Sequence, residues 1–259
     1  MADDKLNLSR RSVLAGLGTI GIASAGAGLG TSAYFNDTES ISNNTVTAGE
    51  LDLQLDWKNF YYGDELYTDI QPPTDNPGPM YTLDDVKPGD FGGGCISLHI
   101  SDNPAYVWAG CEILSDAENG VNDPESEVDD ENANGNWDGE LAENIHVALL
   151  RFPLTYEEGS LESEANTVKA ALQDDRLDEA DLQSIQSGCT PLFYNVTLDE
   201  LCEECLDGGY RLDGQGENGE FSPTTTYWYC FLWWIPMDVG NEIQSDGVEF
   251  TFELGLRSR

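Results

Sequence analysis

Apolar and polar residues alternate along several stretches of this chain, with the period of two that marks strands buried on one face. Leu51, Leu53, Leu55 and Trp57 alternate with Asp52, Gln54 and Asp56; Ile96, Leu98 and Ile100 alternate with Ser97 and His99. Val248, Phe250, Phe252, Leu254 and Leu256 alternate with Glu249, Thr251 and Glu253. Residues 106–114 and 192–198 read as further strands. Two runs, 145–154 (apart from Arg151) and 227–235, are apolar on both faces, as expected of strands covered from both sides. Strands of this kind, separated by Gly, Pro, Asn and Asp turns, predict an antiparallel β-sandwich over residues 51–259. Residues 166–186 break the pattern. Their Val168, Ala171, Leu172, Leu177, Leu182 and Ile185 suit one or two short helices in an insertion around 155–190. Residues 115–143 read as an acidic, asparagine-rich loop inside the one domain.

The N-terminus follows a different logic. Ser9-Arg10-Arg11-Ser12 precedes an uncharged, glycine-rich run that ends at Thr31-Ser32-Ala33. A basic segment, a weakly apolar run and small residues are the parts of an export signal, here with twin-arginine character, and cleavage is expected between Ala33 and Tyr34. The alternative is a retained anchor, because the run is long enough to span a membrane. Its six glycines make it a poor permanent helix. Export machinery and a signal peptidase are the partners this segment implies, and the membrane is a partner only if it stays attached.

Composition sharpens the setting. The 259 residues carry 49 acidic and 11 basic side chains, a net charge of −38. Such a surface repels nucleic acid and anionic membranes. It also repels itself at ordinary ionic strength, whereas at molar salt the Debye length shrinks to about 3 Å and the repulsion is screened. Six tryptophans and eleven tyrosines argue against an acidic disordered chain. Together these features describe a folded, exported protein of a salt-loving organism, secreted or displayed on the cell surface.

The junction Ser32-Ala33-Tyr34-Phe35-Asn36-Asp37-Thr38-Glu39, followed by Asn44-Thr45-Val46-Thr47-Ala48-Gly49-Glu50-Leu51-Asp52-Leu53, resembles the TasA/camelysin (CalY) family with its SipW-type signal peptides. Further stretches extend the resemblance: Lys87-Pro88-Gly89-Asp90, Asp102-Asn103-Pro104-Ala105-Tyr106-Val107-Trp108, Gly139-Glu140-Leu141-Ala142-Glu143-Asn144, and Trp233-Trp234-Ile235-Pro236. The resemblance implies an all-β fold, a jelly-roll-like antiparallel β-sandwich, here with acidic loops and a short helical insertion. It also implies a haloarchaeal secreted subunit of extracellular or biofilm-matrix filaments, in which the leading segment of one copy completes the sheet of the next. Residues 34–50 are then the donor strand; the other reading makes them the first strand of the subunit's own sheet, or a frayed terminus. A described metallopeptidase belongs to the family, but no H-E-x-x-H motif occurs here.

Candidate chemistry is sparse. Asp130, Asn132, Asn134, Asn136 and Asp138 place oxygen donors at alternate positions around Gly135, as a calcium loop requires, although the twelfth position is Leu141. The bland reading is a solvated acidic loop. Asp213, Gln215, Glu217, Asn218 and Glu220 are a weaker echo of the same pattern. Cys95, Cys111, Cys189, Cys202, Cys205 and Cys230 are an even set, expected to form disulfides in an exported chain. The pairing is open, and Cys202-Glu203-Glu204-Cys205 could instead hold a metal or exchange thiols. Asn36, Asn43 and Asn195 are glycosylation sequons. His99 and His146, the two histidines, fall in strand-like runs where a structural role is expected. No nucleophile elbow or phosphate loop is present, so no catalytic residues are assigned. Three functions remain: a filament subunit, a monomeric surface module for calcium or glycans, and, least favoured, a secreted hydrolase.

Overall fold

The structure is a computed structural model that describes residues 39–41, 44–46, 52–83, 85–118, 139–157 and 159–257. The expected signal (1–33, with Ala33 and Tyr34), the loop donors Asp130, Asn132, Asn134, Asn136 and Asp138, and the sequons Asn36 and Asn43 lie outside the described residues. The chain divides into two compact units, Met1–Ala48 and Gly49–Arg259. In the first, β1 (Glu39–Ile41) and β2 (Asn44–Val46) pair antiparallel, Ser40 opposite Thr45. The expected single donor strand is therefore a short hairpin.

The second unit is the antiparallel sandwich. Its larger sheet runs in the order β4 (Leu66–Thr74), β3 (Asp52–Tyr62), β5 (Phe91–Ser101), β10 (Tyr227–Trp234), β7 (His146–Arg151), β8 (Thr190–Thr197). The smaller has the order β11 (Gly247–Arg257), β6 (Tyr106–Ala117), β9 (Tyr210–Arg211). Among the described residues no helix is long and apolar enough to cross a membrane.

β10 is the centre. Cys230 lies opposite Cys95 of β5 on one side and Leu150 of β7 on the other. Its residues sort by parity: Tyr227, Tyr229, Phe231 and Trp233 pack with residues of the smaller sheet, whereas Cys230, Leu232 and Trp234 pack against the helical insertion. This explains why the run is apolar throughout. Gly92 and Gly93 of β5 stand opposite Trp233 and Leu232. A Cβ at Gly92 would run into the Trp233 indole, and one at Gly93 would meet the Phe60 ring and Leu232. Glycine is used there for close approach.

The helical layer is the predicted insertion. α1 (Leu141–Asn144) precedes β7. α2 (Leu161–Ala171) starts at Ser160, whose side chain accepts from the Ser163 amide, and buries Ala165, Val168 and Ala171. α3 (Glu179–Ile185) starts with a capping box between Asp178 and Asp181 and buries Leu182. A further helix was not expected: α4 (Leu198–Glu200), continued as a π-helical turn over Leu201–Cys205. A second capping box, Thr197 with Glu200, starts it.

Lys87-Pro88-Gly89-Asp90 forms the turn that leads into β5. Gly89 has φ +89°, and its N–H donates to the Ile235 carbonyl at 2.8 Å. The buried Asp90 carboxylate accepts from the Tyr61 hydroxyl (2.7 Å) and the Lys87 amide (3.1 Å).

One charged residue joins α2 to the sheet. Lys58, only 5% exposed, donates to Tyr156 Oη (2.5 Å) and Glu164 Oε1 (2.8 Å), and Tyr156 Oη donates to the same Glu164 oxygen (2.8 Å). Its ammonium also lies 5.1 Å from the Tyr156 ring and 5.8 Å from that of Trp228. A desolvated ammonium persists only with such partners. Lys58→Ala should lower stability by about 3 kcal/mol, because it strands the Glu164 carboxylate. The double change Lys58→Met with Glu164→Leu should recover most of that loss, as read by chemical denaturation at molar salt.

Candidate functional site

The most catalyst-like cluster is Asp56, Ser97 and His99, brought together where β3 and β5 pair, with Asp56 directly opposite Ser97. Ser97 Oγ bonds both the Asp56 carboxylate and His99 Nε2, the latter at 2.6 Å. Asp56 Oδ2 also approaches Nε2, at 3.2 Å. A hydrolytic relay needs the carboxylate on Nδ1 and the hydroxyl on Nε2. Here both converge on one nitrogen, and Ser97 is fully buried. The geometry is that of a satisfied polar pocket within a sheet. His146 packs on the Trp234 ring at 5.7 Å, and burial, aided by the Arg176 guanidinium, holds its pKa below the ordinary histidine value.

The cysteines resolve into two bridges, Cys95–Cys230 between paired strands and Cys111–Cys202 between β6 and the π-helical turn. Cys189 and Cys205, candidates for a third, are free thiols. The reason is topological: Cys189 packs with the helical insertion and Cys205 with the cluster on the other face of the larger sheet. The Cys189 thiol donates to the Leu182 carbonyl at 3.2 Å. Burial raises both pKa values, and Glu200 and Glu204 add to the rise at Cys205. A redox cysteine needs the opposite shift, and Cys202 is already bridged, so the C-x-x-C spacing is neither a redox pair nor half a zinc site.

Two other candidate sites have partners within the protein. Arginines meet the loop around Asp213. Arg151 Nη1 donates to Asp213 Oδ2 at 2.5 Å, and Arg211 Nη2 donates to the Asn218 carbonyl. The Gln215 amide and then Arg151 hold the Asp213 carboxyl below its usual range. The sequon at Asn195 is occupied by structure: Nδ2 donates to the Leu177 carbonyl (2.7 Å) and Oδ1 accepts from the Leu177 amide (2.9 Å). A glycan on that nitrogen would cost a half-buried residue this paired contact.

A carboxylate cluster that the sequence reading missed lies at the foot of the acidic loop. One oxygen each of Glu118, just after β6, Glu140, just before α1, and Asp246, just before β11, lie within 4.8 Å of one another. The Glu140 amide donates to Asp246 Oδ2 at 2.7 Å. Gly139 permits the approach, since a Cβ there would lie 3.1 Å from both the Ala117 carbonyl and the Asp246 carboxyl carbon. Like charges gathered this closely repel one another, and a cation among them would offset that cost. All the donors are oxygen, which suits Ca²⁺ or Mg²⁺, with water needed to complete the shell.

Strand edges complete the inventory. β4 carries Pro72 and Pro73, β8 carries Pro191 and pairs with β7 through two register shifts, and β9 is two residues long. Proline, bulges and brevity all blunt an edge. β11 has none of these along Phe250–Arg257: no proline, an even register with β6, and no strand beyond it among the described residues. Its inner row, Val248, Phe250, Phe252, Leu254 and Leu256, is only half-buried throughout.

No protein-family model and no curated protein matches this chain. The fold and these geometries therefore carry the functional argument.

Two measurements check the assignments. Without reductant, the unfolded chain should release two thiols; in the native state only Cys205 should react, slowly, with a rate still rising above about pH 8.5, where an ordinary thiol would level off. Reaction of Cys189 in the folded protein would contradict its burial. Saturating Ca²⁺, at about a hundredfold above Kd, should stabilise the protein by about 2.7 kcal/mol, and Glu140→Gln with Asp246→Asn should abolish the response. Thermal melts with and without chelator read both.

Proposed function

We propose that this protein is a secreted structural subunit that assembles into cell-surface or matrix filaments by strand donation. The observation that carries the reading is the β11 edge. Along Phe250–Arg257, beyond the register shift at Glu249/Phe250, it offers a row of main-chain donors and acceptors beside a half-buried apolar row. A strand laid along it would pair the first and cover the second, as strand addition does elsewhere. The donor is the segment 34–48 of a neighbouring copy, which would present a strand of its β1–β2 hairpin to this edge. Repeated head to tail, a heterologous contact of this kind gives an open filament.

Other features support this. Two disulfides suit an oxidising compartment outside the cell. Glu249 and Glu253 project from β11 and would repel an incoming acidic chain in dilute buffer. At molar salt that repulsion is screened, so assembly is coupled to the medium that the charge balance implies. The resemblance to the TasA/camelysin family points the same way.

The residues 34–259 should form filaments visible by electron microscopy at molar salt and disperse when the salt is lowered. The compact unit 49–259 should stay folded and monodisperse, and a synthetic peptide of residues 34–48 should bind it without polymerisation. Filaments formed by 49–259 alone would refute strand donation from this segment.

A further inference from the structure

The β3–β4 hairpin carries a cleft of about 480 Å³, a size typical of small-ligand sites. Three cross-strand pairs build its floor: Tyr61 opposite Tyr67, Asn59 opposite Asp69, and Trp57 opposite Gln71. Because side chains alternate across a strand, these six share one face. The segment 78–83 forms the wall.

The cleft is held open by the protein's own hydrogen bonds. The Trp57 indole N–H donates to the Gly78 carbonyl at 3.3 Å, the Gly78 amide donates to Gln71 Oε1 at 3.3 Å, and Asn59 Nδ2 donates to the Met80 carbonyl. Aromatic rings form a continuous platform. Trp233 stacks on Tyr61 (5.9 Å, 14° between planes), Tyr61 stacks on Tyr67 (6.0 Å, 16°), and Tyr81 stands edge-on to Trp233. Tyr67 ends the stack 59% exposed. Beside it, Asp69 uses Oδ1 to accept from the Ile70 amide. Among the described residues that line the cleft, Asp69 is the one carboxylate and none is basic.

We infer that this cleft binds a neutral glycan chain, the apolar face of a hexose lying on Tyr67 and a pair of its hydroxyls donating to the Asp69 carboxylate. A ring platform with a carboxylate at its side suits a ligand that has one apolar face and a rim of hydroxyl donors. Charge disfavours the alternatives: an anionic sugar, nucleotide or phosphate would meet Asp69 with no basic side chain among the described lining residues, in a chain of net charge −38. Stacking and hydrogen bonding to a neutral ligand also survive molar salt, which weakens ionic recognition. The site is built on β3, β4 and the segment 78–83, and its ligand would meet side chains rather than the main-chain edge of β11.

The test is calorimetric titration of residues 49–259 at molar salt with maltotetraose, cellotetraose, laminaritetraose and mannotetraose, and with an oligogalacturonate as the anionic arm. At least one neutral oligosaccharide should bind and the oligogalacturonate should not. Tyr67→Ala should weaken binding at least tenfold and Asp69→Asn clearly, while Tyr67→Phe, which keeps the ring, should bind as the parent does. Tyr67 is mostly exposed, so an unchanged melting temperature in these variants separates loss of binding from loss of fold. Absence of binding across the neutral panel would overturn the proposal, as would equal binding by Tyr67→Ala, or binding of a proline-rich peptide in the cleft with no sugar bound.

Discussion

The burial of β10 on both faces and both edges is the constraint from which the rest of this fold is arranged. A strand removed from water must pair its backbone N–H and C=O groups, and β5 does so along Tyr227–Trp234 and β7 along Tyr229–Trp234. Its large side chains then need a layer on each side. The smaller sheet covers Phe231 and Trp233, and the helical insertion covers Leu232 and Trp234. The Cys95–Cys230 bridge ties this centre to β5 across a sequence separation of 135 residues. In the chain-entropy picture such a crosslink is worth about 4–5 kcal/mol.

A six-stranded sheet faced by a three-stranded one leaves two features where β3 and β11 share a core. The segment 78–83 and the β3–β4 hairpin line the aromatic cleft. β11 ends its sheet with a half-buried apolar row and, among the described residues, no strand beyond it. Other edges are blunted by Pro72, Pro73, Pro191 or shortness. At β11 the guard is charge, Glu249 and Glu253, and charge is the one form of edge protection that salt removes. On the proposed reading, surface acidity would make pairing along this edge conditional on the medium.

The interior polar groups follow the complementary rule. Lys58, Ser97, Asn59 and Asp90 are buried, and each is met by partners on neighbouring elements. Lys58 joins α2 to the sheet, Asn59 holds the cleft wall, and Asp90 fixes the turn into β5. Read singly, Ser97 and His99 invite a catalytic interpretation; read with Asp56 on the same nitrogen, they close a polar pocket.

Local pattern determined much of this. Alternation in 51–57, 96–100 and 248–256, and unbroken apolarity in 227–235, identify strands because a side chain's period reports which faces are dry. The helical insertion was legible for the same reason. β4 was not, because Leu66–Thr74 faces water along most of its length and contains two prolines, so no period marks it. α4 left a signal that went unread, the Thr197–Glu200 capping box. What depends on residues far apart in sequence belonged to the tertiary structure alone. Which cysteines bridge follows from which face of the larger sheet each occupies. Glu118, Glu140 and Asp246 converge because β6, α1 and β11 meet at one end of the sandwich. The cleft exists because the segment 78–83 packs against β3 and β4 through bonds such as Trp57 to Gly78 and Asn59 to Met80, and no run of residues encodes that contact locally.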